Sequence, residues 1–131
     1  MSYRWVEHTA EVKLHIEAAS EDAVFTDALA ALGELIGDGP AEVSVSREVS
    51  LAAPDRAALL AAWLDELVYL AETEDLVPDG VERLQLAGDT LAASVRAHRG
   101  QPRHFVKGAT YHELAFERAG AGFRATVVFD V

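Results

Sequence analysis

Only two stretches of this 131-residue chain repeat their apolar side chains at the helical period, and both are set among segments that alternate residue by residue. In the first, Phe25, Ala28, Leu29, Leu32, Leu35 and Ile36 fall on one face. In the second, Leu59, Leu60, Trp63, Leu64, Leu67, Leu70 and Ala71 make a wider stripe. Around them, residues 3–6, 12–18, 42–51, 81–86, 91–98, 112–117 and 123–131 read as strands. The last is the clearest. Phe123, Ala125, Val127, Phe129 and Val131 take one side, and Arg124, Thr126, Val128 and Asp130 the other. Two helices cannot coat both faces of a sheet of seven strands. The expected class is therefore α+β: a single domain over residues 1–131, with a mixed, mainly antiparallel sheet and both helices packed on one face, in the order ββαβαββββ.

Local signals punctuate this order. Ser20 reads as a helix N-cap followed by Glu21 and Asp22, acids that favour the positive end of the helix dipole. Gly37 ends that helix, and Asp38-Gly39-Pro40 is a turn. Pro54-Asp55 opens the second helix. Gly88-Asp89 and Gly120-Ala121-Gly122 mark two hairpins. Arg47 interrupts the apolar face of Val43, Val45, Val49 and Leu51, which a bulge or a strand end reaching solvent would each explain. Glu72-Thr73-Glu74-Asp75 places acids at a helix C-terminus, against the dipole, so it is either solvated or engaged in an interaction.

Composition removes several classes of function. Without cysteine there is no disulfide, thiolate zinc site, iron–sulfur cluster or cysteine nucleophile. The net charge is −11, with 11 Lys and Arg against 22 Asp and Glu, which opposes broad binding to a phosphate backbone. The charge is uneven: residues 1–95 hold 5 basic and 19 acidic residues, and residues 96–131 hold 6 and 3. The segment 96–107 carries four cations, two histidines and no acid, either as a solvated offset or as a docking patch for an acidic partner or phosphate. No apolar run approaches the roughly 20 residues of a membrane span. The N-terminal residues show no basic region followed by an apolar one, so a cytoplasmic protein is expected.

Motifs that announce chemistry are missing. There is no GxxxxGK[ST], HExxH, GxSxG or GxGxxG, and His8, His15, His98, His104 and His112 lack zinc spacing. Two features remain. Glu7-His8-Thr9-Ala10-Glu11 crowds polar groups into the link between two strands, as turn chemistry or as a carboxylate for a hard cation. At the far end, Asp130-Val131 follows directly on a strongly patterned strand, so a side-chain carboxylate and a terminal one stand one residue apart.

Four segments in order resemble the archease family: Val6-Glu7-His8-Thr9-Ala10-Glu11-Val12, Trp63-Leu64-Asp65-Glu66-Leu67-Val68-Tyr69-Leu70, Val106-Lys107-Gly108-Ala109-Thr110-Tyr111-His112, and Val127-Val128-Phe129-Asp130-Val131. The resemblance implies a non-enzymatic activator of the RtcB-type tRNA-splicing RNA ligase. Such a protein promotes guanylylation of the ligase from GTP and restores its multiple turnover. It implies a divalent metal ion, calcium, held by Glu11, Asp130 and the backbone or terminal oxygens of Val131. Asp38 matches a further acidic position, and Lys107 a basic position tied to activation. The family usually carries Asp where this chain has Glu11, one methylene longer.

Two functions follow as expectations. One is the ligase activator, working through an acidic, metal-linked surface without strong nucleic-acid binding of its own. The other is a small-molecule or nucleotide-binding module on the same sheet. Clustering of Glu11, Asp38, Asp130 and Lys107 on one exposed surface favours the first, and a closed apolar pocket with convergent polar groups the second.

Overall fold

The computed structural model describes residues 2–8, 11–37, 43–100 and 106–131. In chain order the elements are β1 (Ser2–His8), β2 (Glu11–Ala18), α1 (Glu21–Ile36), β3 (Ser44–Ala52), α2 (Arg56–Glu74), β4 (Leu76–Ala87), β5 (Thr90–Arg99), β6 (Gly108–Ala119) and β7 (Gly122–Asp130). This is the α+β order that the periodicity implies. The strands differ from expectation in their partition. They form two sheets, β1-β2-β7-β6 and β3-β5-β4, and the pairings described are all antiparallel rather than mixed. Nor do the helices cover one face of one sheet. α1 packs on β1, β2 and β7 of the first sheet and on β4 of the second, while α2 packs on β6 of the first and on β3, β4 and β5 of the second. The reason lies in the width of the helical stripes. A stripe as broad as that of α2 needs apolar cover on more than one side, which a single flat sheet does not supply.

The core forms where these faces meet. Leu14 and Ile16 of β2 and Ala125, Val127 and Phe129 of β7 are sealed in one cluster with the apolar faces of α1 and α2, and Leu91, Ala93 and Val95 of β5 join it from the second sheet. Both helix starts are capped as their sequences suggest. Ser20 Oγ accepts from the Ala23 N–H at 3.1 Å, and Asp55 Oδ1 from the Ala58 N–H at 2.8 Å. Gly33, inside α1, answers a packing need. A Cβ there would stand 2.4 Å from the Pro78 carbonyl oxygen, so only glycine lets β4 lie this close to the helix.

Arg47 needs no bulge. β3 pairs with β5 in unbroken register from Ser44↔His98 to Ala52↔Thr90. The guanidinium keeps its place on the strand and reaches the end of α2, where Nη2 and Nε donate to Glu74 Oε1 at 2.7 and 3.2 Å. That bond holds the Glu74 carboxyl below its ordinary range. The acidic end of α2 is thereby partly resolved. Glu74 is paired, and Asp75 turns the chain as a left-handed cap at φ 53.

Two strands begin earlier than their periodicity shows. β4 starts at Leu76 because its register shifts between Pro78 and Gly80 and again between Val81 and Arg83. β6 starts at Gly108, but between Thr110 and Ala115 it carries extra residues opposite β7. Glu113 in this bulge adopts φ 56 and its carboxylate meets Lys13 Nζ of β2 at 2.8 Å.

Candidate functional site

The polar side of α2 builds one wall of the site. Asp65, Val68, Tyr69 and Glu72 recur at i, i+3, i+4 and i+7, so they share a face adjoining the buried stripe of Leu60, Trp63, Leu64, Leu67 and Ala71. Opposite them stand Lys107, Gly108 and Ala109, where the chain enters β6, and Asp130 at the end of β7. Together these residues line an open cleft of about 370 Å³. Val68 is buried, while Asp65, Tyr69, Glu72, Lys107 and Asp130 are exposed. The cleft thus sets three acids and an aromatic ring around one cation.

Backbone bonds hold the two chain segments together. The Lys107 N–H donates to the Asp130 carbonyl at 2.8 Å. The Ala109 N–H donates to Asp65 Oδ1 at 2.7 Å. Gly108 lies between them at φ 155, and a Cβ on it would stand 3.2 Å from Asp65 Oδ1. The Asp65 side chain is open to solvent along part of its length, but packing around it partly withdraws its carboxyl from water and raises it, and the Ala109 hydrogen bond partly offsets this. A carboxyl whose folded pKa is raised favours the fold most at low pH, and loses that advantage as pH rises through the folded value. Asp65→Asn removes the charge and keeps an acceptor. It is therefore expected to be more stable than the parent at neutral pH, with the difference fading below the carboxylate range. Urea unfolding at pH 7 and pH 3 checks this, and a difference independent of pH would contradict it.

Of the residues singled out from the sequence, Lys107 and Asp130 line the cleft. Glu11 joins them through the ladder, since Asp130 of β7 is directly opposite Glu11 of β2 on one side and Gly108 of β6 on the other. Directly opposed antiparallel residues carry their Cβ atoms about 4.5–5.5 Å apart on one face, so these two side chains start from neighbouring positions on that face. Val131 follows and is 41% exposed. Asp38 lies outside the described residues, as do Thr9, Ala10 and residues 101–105 of the basic segment. Among the described residues, no three His, Asp or Glu side chains are gathered as a metal site.

Asp65 and Tyr69 stand in a segment that resembles the family and Glu72 in the acidic end of α2, but the sequence assigns none of the three to the site. Their signal was present as polar and aromatic positions spaced i, i+4 and i+7 beside an apolar stripe. Helical spacing alone does not say which strand such a face will meet.

Comparison with known proteins gives this cleft a context. The family model of the archease protein family matches residues 3–131. The protein archease of Methanosarcina acetivorans is 30% identical, with 98% of this chain and 95% of that one covered. The protein archease of Archaeoglobus fulgidus is 28% identical over the full length of both. Among solved structures, protein 1598 of Methanobacterium thermoautotrophicum superposes with a TM-score of 0.78 at 24% identity, covering 98% of each chain. An archease of Thermotoga maritima, described as a possible chaperone, superposes with a TM-score of 0.72 at 25% identity, covering 96% of this chain and 94% of its own. With the family model matched across nearly the whole chain, this protein belongs to the archease family.

Proposed function

We propose that this protein is a cytoplasmic, non-enzymatic accessory factor that docks on an RtcB-type tRNA-splicing RNA ligase and promotes its guanylylation and turnover. The observation that carries this reading is the union of Lys107 and Asp130 in one exposed cleft, joined through their backbones. Family membership supports it, and so does the description of the Thermotoga relative as a possible chaperone, which implies a protein partner. An open cleft lined by charge also suits a protein surface better than an enclosed small ligand. In this role Lys107 presents a cation to a phosphate or carboxylate on the ligase, and the surrounding acids favour a basic rim on the partner. Strong free-RNA binding is not part of the role, because a net charge of −11 repels the phosphate backbone.

Calcium belongs to the same proposal. Glu11, Asp130 and the oxygens of Val131 are hard donors of the right kind, with Asp38 as a further candidate. Glu11 and Asp130 are opposed in the β2–β7 ladder, and two carboxylates supply at most four of the 6–8 oxygens calcium takes, so water or further residues would complete its shell.

The test is formation of the ligase–GMP adduct at fixed GTP and manganese, with and without this protein. A clear rise in adduct is expected with the native ligase, and none would overturn the function. A parallel thermal melt separates the cation. Calcium is expected to raise the Tm of the parent above that in chelator and to leave Glu11→Gln unmoved. Equal parent melts in calcium and chelator would remove the ion from the proposal.

A further inference from the structure

We infer that Asp65 is a positioning residue for Lys107: its carboxylate fastens the start of β6 to α2 and so fixes where the Lys107 ammonium stands. The inference rests on the reading of Lys107 as the activating cation. Its geometry is independent of that reading.

Three contacts make the case. Lys107 is anchored on one side by its own N–H to the Asp130 carbonyl at 2.8 Å. Two residues on, the Ala109 N–H is anchored to Asp65 Oδ1 at 2.7 Å. Between the anchors, Gly108 at φ 155 leaves room for that oxygen, where a Cβ would come to 3.2 Å. The chain from 107 to 109 is therefore held on two sides, by its pairing with β7 and by Asp65 of α2. Without Asp65 the β6–β7 ladder still holds the segment to β7, but the hydrogen bond that sets its position against α2 is lost.

The choice of residue supports a local role over a structural one. Aspartate is a poor helix former in a helix interior, because its short carboxylate competes for nearby backbone groups. Here it lies in the middle of α2 on an exposed face, where alanine or glutamate would serve the helix better. Its Oδ1 accepts from the Ala109 N–H, in the backbone beside Lys107. Docking of α2 on the sheets is already secured by Leu60, Trp63, Leu64 and Leu67, all essentially inaccessible to solvent.

The experiment compares the parent with Asp65→Ala, Asp65→Asn, Lys107→Ala and the Asp65→Ala/Lys107→Ala double variant. Two readouts are taken: backbone amide spectra with hydrogen exchange, and stimulation of ligase–GMP adduct formation. In Asp65→Ala the Ala109 amide is expected to exchange about tenfold faster, the weight of one hydrogen bond. The Lys107 amide resonance should move, while amides of the β7 core should not. Stimulation should fall about as far as in Lys107→Ala. Asp65→Asn, which keeps an acceptor oxygen, should recover most of it, and the double variant should be no worse than Lys107→Ala alone. Full stimulation by Asp65→Ala, an Asn variant as poor as the Ala one, or an additive loss in the double variant would each overturn the inference. If the parent itself fails to stimulate the ligase, the functional reading falls. Positioning is then decided by the spectra: a displaced Lys107 resonance supports it, and an unmoved one overturns it.

Discussion

Trp63→Ala is expected to destabilise the fold by about 3–5 kcal/mol, the range for deleting a fully buried aromatic side chain. Trp63 has no accessible surface, and its Nε1–H donates to the Phe25 carbonyl at 3.0 Å. Its ring meets Phe25 edge-on at 6.4 Å. Phe25 in turn meets Phe116 at 6.0 Å, and Phe116 meets Phe123 at 6.0 Å. This run of rings crosses from α2 to α1 and on to β6 and β7, so the cavity left by alanine opens where the helices join the four-stranded sheet. Domains of this kind have only about 5–15 kcal/mol of stability in total, so the variant should unfold at much lower urea. A loss below about 1 kcal/mol would show that the site collapses without cost and that the aromatic run is not what ties these layers together.

Lys107→Ala and Asp130→Ala are expected to act in the opposite sense, sparing the fold and impairing ligase activation. Both side chains are exposed, and exposed charge substitutions change stability by only about ±0.5 kcal/mol. The bond joining the two segments runs between backbone groups, which alanine keeps. Asp130→Ala also relieves the facing of two carboxylates across the β2–β7 ladder, so its net effect on folding should be small unless a cation sits between them. For Lys107→Ala, stimulation of adduct formation should drop about tenfold or more, the worth of one charge-assisted hydrogen bond at about 1.5–3 kcal/mol. For Asp130→Ala a comparable drop is expected. Wild-type stimulation by both folded variants would remove the cleft as the working surface.

How far these features were legible in the sequence depended on whether their cause was local. The caps at Ser20 and Asp55 follow from side chains that bond within their own first turn, and β7 follows from strict alternation. The division into two sheets was not legible. It turns on which strands find each other, and periodicity is the same in either sheet. The early start of β4 was hidden by Pro78 and Gly80, residues that ordinarily stop a strand and here sit at a register shift. In the site, the end of β7 and the entry to β6 could be marked as chemically interesting from residue type and order. Asp65 could not, because its significance is a single bond to a backbone 44 residues away. Arg47 shows the same limit. Its misfit on an apolar face was visible, but its partner Glu74 lies on another element.

The pairing of β2 with β7 places residue 11 against residue 130, so the four-stranded sheet is joined by residues very far apart in sequence. Bringing such distant residues together carries a loop-closure entropy that grows with the logarithm of the separation, and it falls due before the contacts return anything. The pairs β1–β2, β4–β5 and β6–β7 form locally, but the first has no wider sheet to join until β7 is in place. The first strands can therefore complete their sheet only once β7 is in place, although α1 can already cover Leu14 and Ile16. High contact order of this kind favours slow, late and cooperative folding. It also makes the final nine-residue strand the step that commits the whole molecule, including the cleft built at its end.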